Sequence, residues 1–187
     1  MKYEYYNRAC ELLAKAGISD SDVQRLEHEF GYFSAPASKS HHLNTIGGLA
    51  RHSINVTERL LELTEKLGIE WPRKESPYLI GMLHDLVKTE VYQPHTVENG
   101  QFKYKYVAPV FGGHGSASAI MIMARLGIRL LPVEAAAIVW HMGAFNLSKE
   151  GLNEYDRALD EFSLAIIATH TADILAARVD EKEVENA

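Results

Sequence analysis

Leu83-His84-Asp85-Leu86-Val87-Lys88 places a histidine and an aspartate side by side, directly after an apolar run that begins at Tyr78. A solvated helix face does not need such apolar neighbours, and a purely apolar core would not contain these two polar residues. A neutral imidazole and a carboxylate both bind divalent transition metals. Adjacent residues project about 100° apart on a helix, so the pair can reach one ion only at a helix end or beside other donors. The dipeptide therefore suggests a metal site whose remaining ligands lie elsewhere in the chain.

Two further polar residues lie on the apolar stripes of predicted helices. His52 shares the stripe of a helix predicted over 47–67, and Asp173 that of a helix predicted over 159–178. Each has a simpler explanation, since a histidine on such a face is usually a hydrogen-bonded core residue. Asp173 could likewise form an ion pair with Arg178.

Two more histidines occur where an apolar residue is expected. His114 stands in a glycine-rich loop, and His141 ends an apolar helix predicted over 132–142. Several such residues in one small protein are harder to explain separately, because each unpaired buried polar group costs free energy of about 1–3 kcal/mol or more. A shared metal centre would satisfy them together. The candidate ligands are His52, His84, Asp85, His114, His141 and Asp173.

The rest of the pattern predicts an all-α fold with a small β-hairpin flap. Glu98-Asn99-Gly100 lies between alternating aromatic and polar residues and is typical of a hairpin turn. We expect a single domain over 1–187, without internal repeats or a linker, with its core at 41–178. Outside that core, the sequence predicts N-terminal helices within 3–31 and an acidic, frayed tail over 180–187. The other predicted helices are 3–16, 21–31, one that starts at Ser76 and carries His84-Asp85, and 115–126.

Composition narrows the functional classes. The chain has 187 residues, 47% of them hydrophobic, and a net charge of −6 without a Lys/Arg cluster, which argues against a generic nucleic-acid coat. Cys10 is the only cysteine, so no intrachain disulfide can form, and we expect a reducing cytoplasm. The sequence shows no secretory leader and no apolar run of about 18–20 residues, so we expect no membrane span.

The ordered set of candidate ligands resembles the HD-domain superfamily of metal-dependent phosphohydrolases. The resemblance covers 41–178, nearly the whole chain, and implies an HD-domain helical bundle. The full set is specific for this superfamily, whereas the His-Asp dipeptide alone is not. The matching segments are Gly47-Gly-Leu-Ala-Arg-His52-Ser, Leu83-His-Asp-Leu-Val-Lys88, Gly113-His-Gly, Trp140-His-Met-Gly and His170-Thr-Ala-Asp173.

The resemblance also implies how many ions are bound and by which residues. The set His52, His84, Asp85 and Asp173 matches a mononuclear site. The two remaining histidines match those that hold a second ion in binuclear members, in which the aspartate of the His-Asp pair bridges the ions. We expect one or two divalent ions per chain, drawn from Mn, Fe, Co, Ni, Zn and Mg.

Two residues beside the ligands are candidates for contact with a substrate. Lys88 can neutralise phosphate charge from a position one turn beyond His84 on the same helix, and its alternative is a solvated lysine. His42 is a candidate substrate contact or leaving-group acid. We expect Asp85 and Lys88 to be catalytic, Lys88 and His42 to bind substrate, and His28 and His95 to lie on the surface.

The expected function is hydrolysis of a phosphoester or phosphoanhydride in a small nucleotide-like substrate by a metal-activated hydroxide. Extended nucleic acid is a less expected partner, because the chain lacks the appended nucleic-acid-binding domain of HD-type exoribonucleases. The Gly-Tyr-Pro signature of cyclic-di-GMP phosphodiesterases is also missing. Two alternatives stay open: an HD-fold di-iron oxygenase with the same ligands, and a non-catalytic nucleotide sensor.

Overall fold

The protein is mostly helical, with one two-stranded antiparallel sheet. The computed structural model describes residues 4–40, 43–98, 101–145 and 147–182. This result confirms the predicted fold class at the level of an all-α protein with a hairpin. The elements are α1 (Glu4–Lys15), α2 (Asp20–His28), α3 (Gly48–Leu67), α4 (Ser76–Leu83), α5 (Lys88–Val91), β1 (Tyr92–Glu98), β2 (Gln101–Tyr106), α6 (His114–Ala124), α7 (Pro132–Val139), α8 (Lys149–Leu175) and a π-helical turn (Ala176–Asp180).

Helix α3 lies at the centre of the fold and packs against α1, α4 and α8. Its buried stripe includes Leu49, His52, Val56 and Leu60, as the three- and four-residue spacing predicts. The crossing with α4 is close, because a side chain at Gly81 would collide with Thr57 of α3. The metal-ligand candidate His52 is fully buried on this closely packed helix.

A buried carboxylate fixes the start of α4 against the start of α7. The Glu134 side chain is fully buried and accepts hydrogen bonds from Arg73 Nε at 2.7 Å and from Ser76 Oγ at 2.7 Å. It also accepts the backbone N–H of Leu131 at 2.8 Å, which caps α7. Since α4 leads to His84 and α7 leads to His141, this network sets the distance between the two helices that carry them.

Several element boundaries differ from the predicted ones. The last long helix begins at Lys149 rather than at 159, because the Ser148 side chain caps it by accepting the N–H of Gly151. A kink at Phe162 lies just inside the part that the apolar pattern predicts. The sequence predicts that Lys88 lies on the same helix as His84. Helix α4 instead ends at Leu83, and Lys88 begins the separate short helix α5.

The predicted frayed tail is wrong for its first three residues, 180–182. A π-helical turn, Ala176–Asp180, continues α8, and Glu181 after it is buried. Asp180 forms an ion pair with Arg59 of α3, with Oδ2 2.9 Å from Nε. The remainder of the predicted tail, 183–187, lies outside the described residues.

The stretch Lys149–Asp180 is long and apolar enough, by length and composition alone, to cross a membrane. A core helix passes the same test, and one face of α8, with Ala165, Ala168 and Ala172, is buried in the core. The expected absence of a membrane span and the expected cytoplasmic location both stay predictions.

Candidate metal centre

Four of the six predicted ligands form a compact group. His52 of α3, His84 and Asp85 after α4, and Asp173 of α8 each offer a ligand atom, and these atoms all lie within 4.8 Å of one another. The first three are buried, and Asp173 is partly exposed. Two imidazoles and two carboxylates are a donor set that suits first-row divalent metals. This group could hold one metal ion.

The helix ends fix the orientation of two histidine rings. His84 directly follows the last residue of α4, and its Nδ1 donates to the carbonyl of Gly81 at 2.9 Å. His141 lies two residues beyond α7, and its Nδ1 donates to the carbonyl of Ile138 at 2.7 Å. A carbonyl can only accept, so each Nδ1 carries a proton, and Nε2 is the ring atom that could bind an ion.

The two carboxylate oxygens of Asp85 face different histidines. Oδ2 lies 3.2 Å from His84 Nε2 and 3.5 Å from His52 Nε2. Oδ1 lies 3.5 Å from His141 Nε2 on the other side. An aspartate placed in this way can contact two ions at once, one through each oxygen.

His114 and His141 lie beside the compact group rather than in it. His114 is half-buried and is the first residue of α6, rather than part of the loop in which the sequence places it. The beginning of α6 packs closely on the end of α7, because a side chain at Gly115 would collide with the carbonyl oxygens of Ile138 and Val139. This close contact brings the helix that starts with His114 against the helix end that carries His141.

Lys88 is buried beside the same carboxylate. Its Nζ lies 2.5 Å from Asp85 Oδ2, and the residue is only 8% exposed. The alternative of a solvated lysine is therefore wrong, although Lys88 reaches this position from α5 rather than from the helix of His84.

Burial and charge shift the titration of the cluster in predictable directions. Burial would raise the pKa of Asp85, but the positive charge of Lys88 and the neighbouring histidines hold that pKa well below its usual range. Burial would likewise lower the pKa of Lys88, and the charge of Asp85 instead raises it. Both groups are thus charged at neutral pH. For His84, burial prevails and lowers the pKa.

The donor atoms that face the centre fit a cation. Nε2 of His84, Nε2 of His114, Nε2 of His141 and Oδ1 of Asp85 are buried and form no hydrogen bond within the described part of the chain. An unsatisfied buried acceptor costs about 1–3 kcal/mol, and four in one place are unusual for a protein core. A divalent cation would satisfy these atoms together.

One residue of the centre is absent from the sequence prediction. The Glu181 side chain is 1% exposed, and its Oε1 lies 2.8 Å from Nδ1 of His52. Asn55 Nδ2 also donates to this oxygen at 3.2 Å. In the sequence, Glu181 belongs to an acidic stretch near the end of the chain, where a carboxylate is ordinarily solvated. No signal in the pattern distinguishes it.

The remaining histidines lie in different environments. His28 and His95 are exposed, as expected. His42 lies outside the described residues, so its proposed contact with a substrate stays a prediction. His170 Nδ1 donates to the backbone carbonyl of His141 at 2.6 Å and thereby supports the segment that carries this ligand candidate.

Asp173 does not form the ion pair with Arg178 that the sequence allows. Its Oδ1 lies 3.1 Å from His52 Nε2, while Arg178 is exposed. Burial would raise the pKa of Asp173, but the hydrogen bond to His52 and the charges of the nearby histidines lower it. Asp173 is therefore an ionised carboxylate that faces the centre.

Comparisons of the chain with protein-family models, with curated proteins and with solved structures find no match.

Proposed function

We propose that the protein is a metal-dependent phosphohydrolase of the HD type that acts on a small nucleotide-like substrate. The observation that carries the proposal is the buried ammonium of Lys88 at the edge of the ligand cluster, 2.5 Å from Asp85 Oδ2. A lysine beside a metal centre supplies a second positive charge to an anionic substrate. A purely structural ion does not need such a charge.

Lys88 and Asp85 each have a defined part in this proposal. The metal, when bound, polarises a phosphoryl oxygen and lowers the pKa of an attacking water. Lys88 stabilises negative charge on the phosphoryl oxygens as the bond to the leaving group breaks. Asp85 is held ionised by Lys88, so it orients the attacking water by accepting a hydrogen bond rather than by storing a proton.

We also infer that the centre is binuclear. The support is the division of the Asp85 oxygens, with Oδ2 towards His52 and His84 and Oδ1 towards His141. The first ion would be held by the compact group of four. The second would be held by His114 and His141, with Asp85 shared between the two.

A cavity under the hairpin supports an aromatic group in the substrate. It has a volume of about 280 Å³ and is lined mainly by apolar and aromatic side chains, including Tyr92, Phe102 and Tyr104. Burial raises the pKa of the Tyr92 hydroxyl, which lies close enough to Lys88 and Asp85 for their charges to act on it. Tyr92 thus lines this cavity and is also near Lys88. An aromatic-lined space of this kind suits the planar base of a nucleotide whose phosphate contacts Lys88.

A substrate screen tests the proposed function. Protein loaded separately with Mn²⁺, Co²⁺, Fe²⁺, Ni²⁺ and Mg²⁺ is incubated with nucleotides, dinucleoside polyphosphates and short oligonucleotides. The hydrolysis products are separated by chromatography, and oxygen consumption is recorded. The proposal expects hydrolysis that a chelator abolishes. Oxygen consumption with Fe²⁺ and no hydrolysis would replace it with the oxygenase, and tight nucleotide binding without turnover would replace it with the sensor.

A further inference from the structure

The ring of His52 is held differently from the rings of the other ligand candidates. His84 and His141 each donate Nδ1–H to a neutral carbonyl three residues earlier in the chain. His52 donates to the carboxylate of Glu181, which is 129 residues away in sequence. A carboxylate acceptor fixes the tautomer of a histidine ligand and increases the electron density at its other nitrogen. For His52, that nitrogen is Nε2, which lies 3.1 Å from Asp173 Oδ1 in the compact group.

The π-helical turn explains how Glu181 reaches His52. In a continuous α-helix, Glu181 would lie eight residues after Asp173 and project about 80° away from it. A π-helical turn, Ala176–Asp180, separates the two, and the N–H of Glu181 bonds to the carbonyl of Ala176, five residues earlier. The π-helical turn takes up one additional residue. Glu181 therefore projects as the seventh residue after Asp173 would in a regular α-helix, about 20° from the direction of Asp173. Both carboxylates therefore face the same imidazole, one on each of its nitrogens.

Helix α3 presents a matching row of side chains to this segment. His52, Asn55 and Arg59 follow one another at three- and four-residue steps, so they lie on one face. Arg59 pairs with Asp180, and both His52 and Asn55 donate to Glu181. The segment after α8 is therefore attached to α3 at three successive positions, and the contact nearest the metal centre is that of Glu181.

We propose that Glu181 is a positioning residue for the metal ligand His52, and that the segment 176–181 completes the metal centre. This inference rests on the metal centre of the proposed function, but not on the reaction that the centre catalyses. It predicts that changes at Glu181 weaken metal binding in protein that remains folded. A role in stability alone would lower the melting temperature and leave the metal affinity intact.

The test compares Glu181→Gln and Glu181→Ala with Asp180→Asn. All three alter the same segment, but Asp180→Asn removes only the charge that pairs with Arg59 and leaves the contact with His52. Chelator-treated proteins are titrated with Mn²⁺ by calorimetry at a temperature at which circular dichroism shows every variant folded, and their melting temperatures are measured without metal. Glu161→Gln, at an exposed carboxylate of α8, is the neutral control.

We expect Glu181→Gln to lower the Mn²⁺ affinity by about 10-fold and Glu181→Ala by up to about 100-fold, in the range for a residue that orients a metal ligand. Asp180→Asn should lower the melting temperature and keep the affinity of the parent. The proposal is overturned if neither Glu181 variant binds Mn²⁺ more weakly than Asp180→Asn does, or if the parent protein binds no metal. Should Glu181→Ala fail to fold, the comparison of Glu181→Gln with Asp180→Asn decides alone. A parent that binds metal but hydrolyses nothing would remove the proposed function and leave this inference in place.

Discussion

The Nζ atom of Lys88 lies 2.5 Å from Oδ2 of Asp85, and both side chains are buried. The lysine thereby neutralises the carboxylate that also faces His52, His84 and His141. A divalent ion at the centre would compete with Lys88 for this oxygen. Metal binding should therefore release the ammonium towards a bound anion, which links the occupancy of the centre to its ability to hold a phosphate.

Lys88→Met tests this link, since it keeps the apolar part of the side chain and removes the charge. Without metal, Asp85 loses a buried partner, and we expect the free energy of unfolding to fall by up to about 3–5 kcal/mol. With metal, the ion replaces the lost charge, so metal content should match that of the parent, while turnover falls about 10²-fold or more. Lys105→Met, at an exposed position of β2, is the control. Unchanged kinetics would exclude a catalytic role for Lys88.

His114→Ala and His141→Ala test the second ion. If these histidines hold it with Asp85 as the bridge, each change should reduce the stoichiometry from two ions towards one and lower turnover by orders of magnitude. The titration needs excess metal, so that a weakly bound second ion is counted. His95→Ala, at an exposed position of the hairpin, is the matched control. Retention of the parental stoichiometry by both variants would rule out the binuclear centre.

Gly115→Ala tests whether the close contact between α6 and α7 sets the distance from His114 to His141. The new methyl group would collide with the carbonyl oxygens of Ile138 and Val139, so the beginning of α6 must move away. We expect a lower melting temperature and weaker binding of the second ion, with the first ion unaffected. Gly112→Ala is the control, because a side chain there meets no atom within 4 Å. Equal second-ion affinity in the two variants would contradict this account.

Phe102→Ala tests the cavity under the hairpin as the place for the base of a nucleotide. Phe102 lines the cavity and is 41% exposed, so its removal should leave the fold intact. We expect KM for the best nucleotide to rise by about 10-fold with kcat nearly unchanged, because a stacking contact is lost equally from bound substrate and transition state. Val97→Ala is a close control, since Val97 pairs with Phe102 across the hairpin and is more exposed. Equal effects of the two changes would argue against the cavity as a binding site.

The sequence predicts the compact group well because its members follow a strong pattern. His52 and Asp173 interrupt apolar stripes with helical spacing, and His84-Asp85 follows an apolar run, so a common buried location is the simplest interpretation. The structure brings them within 4.8 Å of one another. The sequence also predicts Lys88 at the centre. Because α4 ends at Leu83, Lys88 reaches the centre from α5 rather than from the helix that leads to His84.

Glu181 was not predictable in the same way. Its burial depends on the π-helical turn at Ala176–Asp180. This turn contains one residue more than an α-helical turn and so rotates the direction in which the following side chains project. The apolar pattern of the sequence does not reveal a π-helical turn, and an acidic stretch is ordinarily solvated. The early start of α8 has a similar origin, since Ser148 caps a part of the helix in which few residues are buried.

Measurement of bound metal tests the central claim most directly. Elemental analysis of protein purified without chelator, and again after chelation and reloading with Mn²⁺, should give one or two ions per chain. His52→Ala and Asp173→Asn should each reduce the content of the compact site sharply, while His28→Ala, at an exposed position, should not. Protein that is folded but free of metal under both conditions would contradict the account, because the buried His84, Asp85 and His141 atoms would then have no cation to satisfy them.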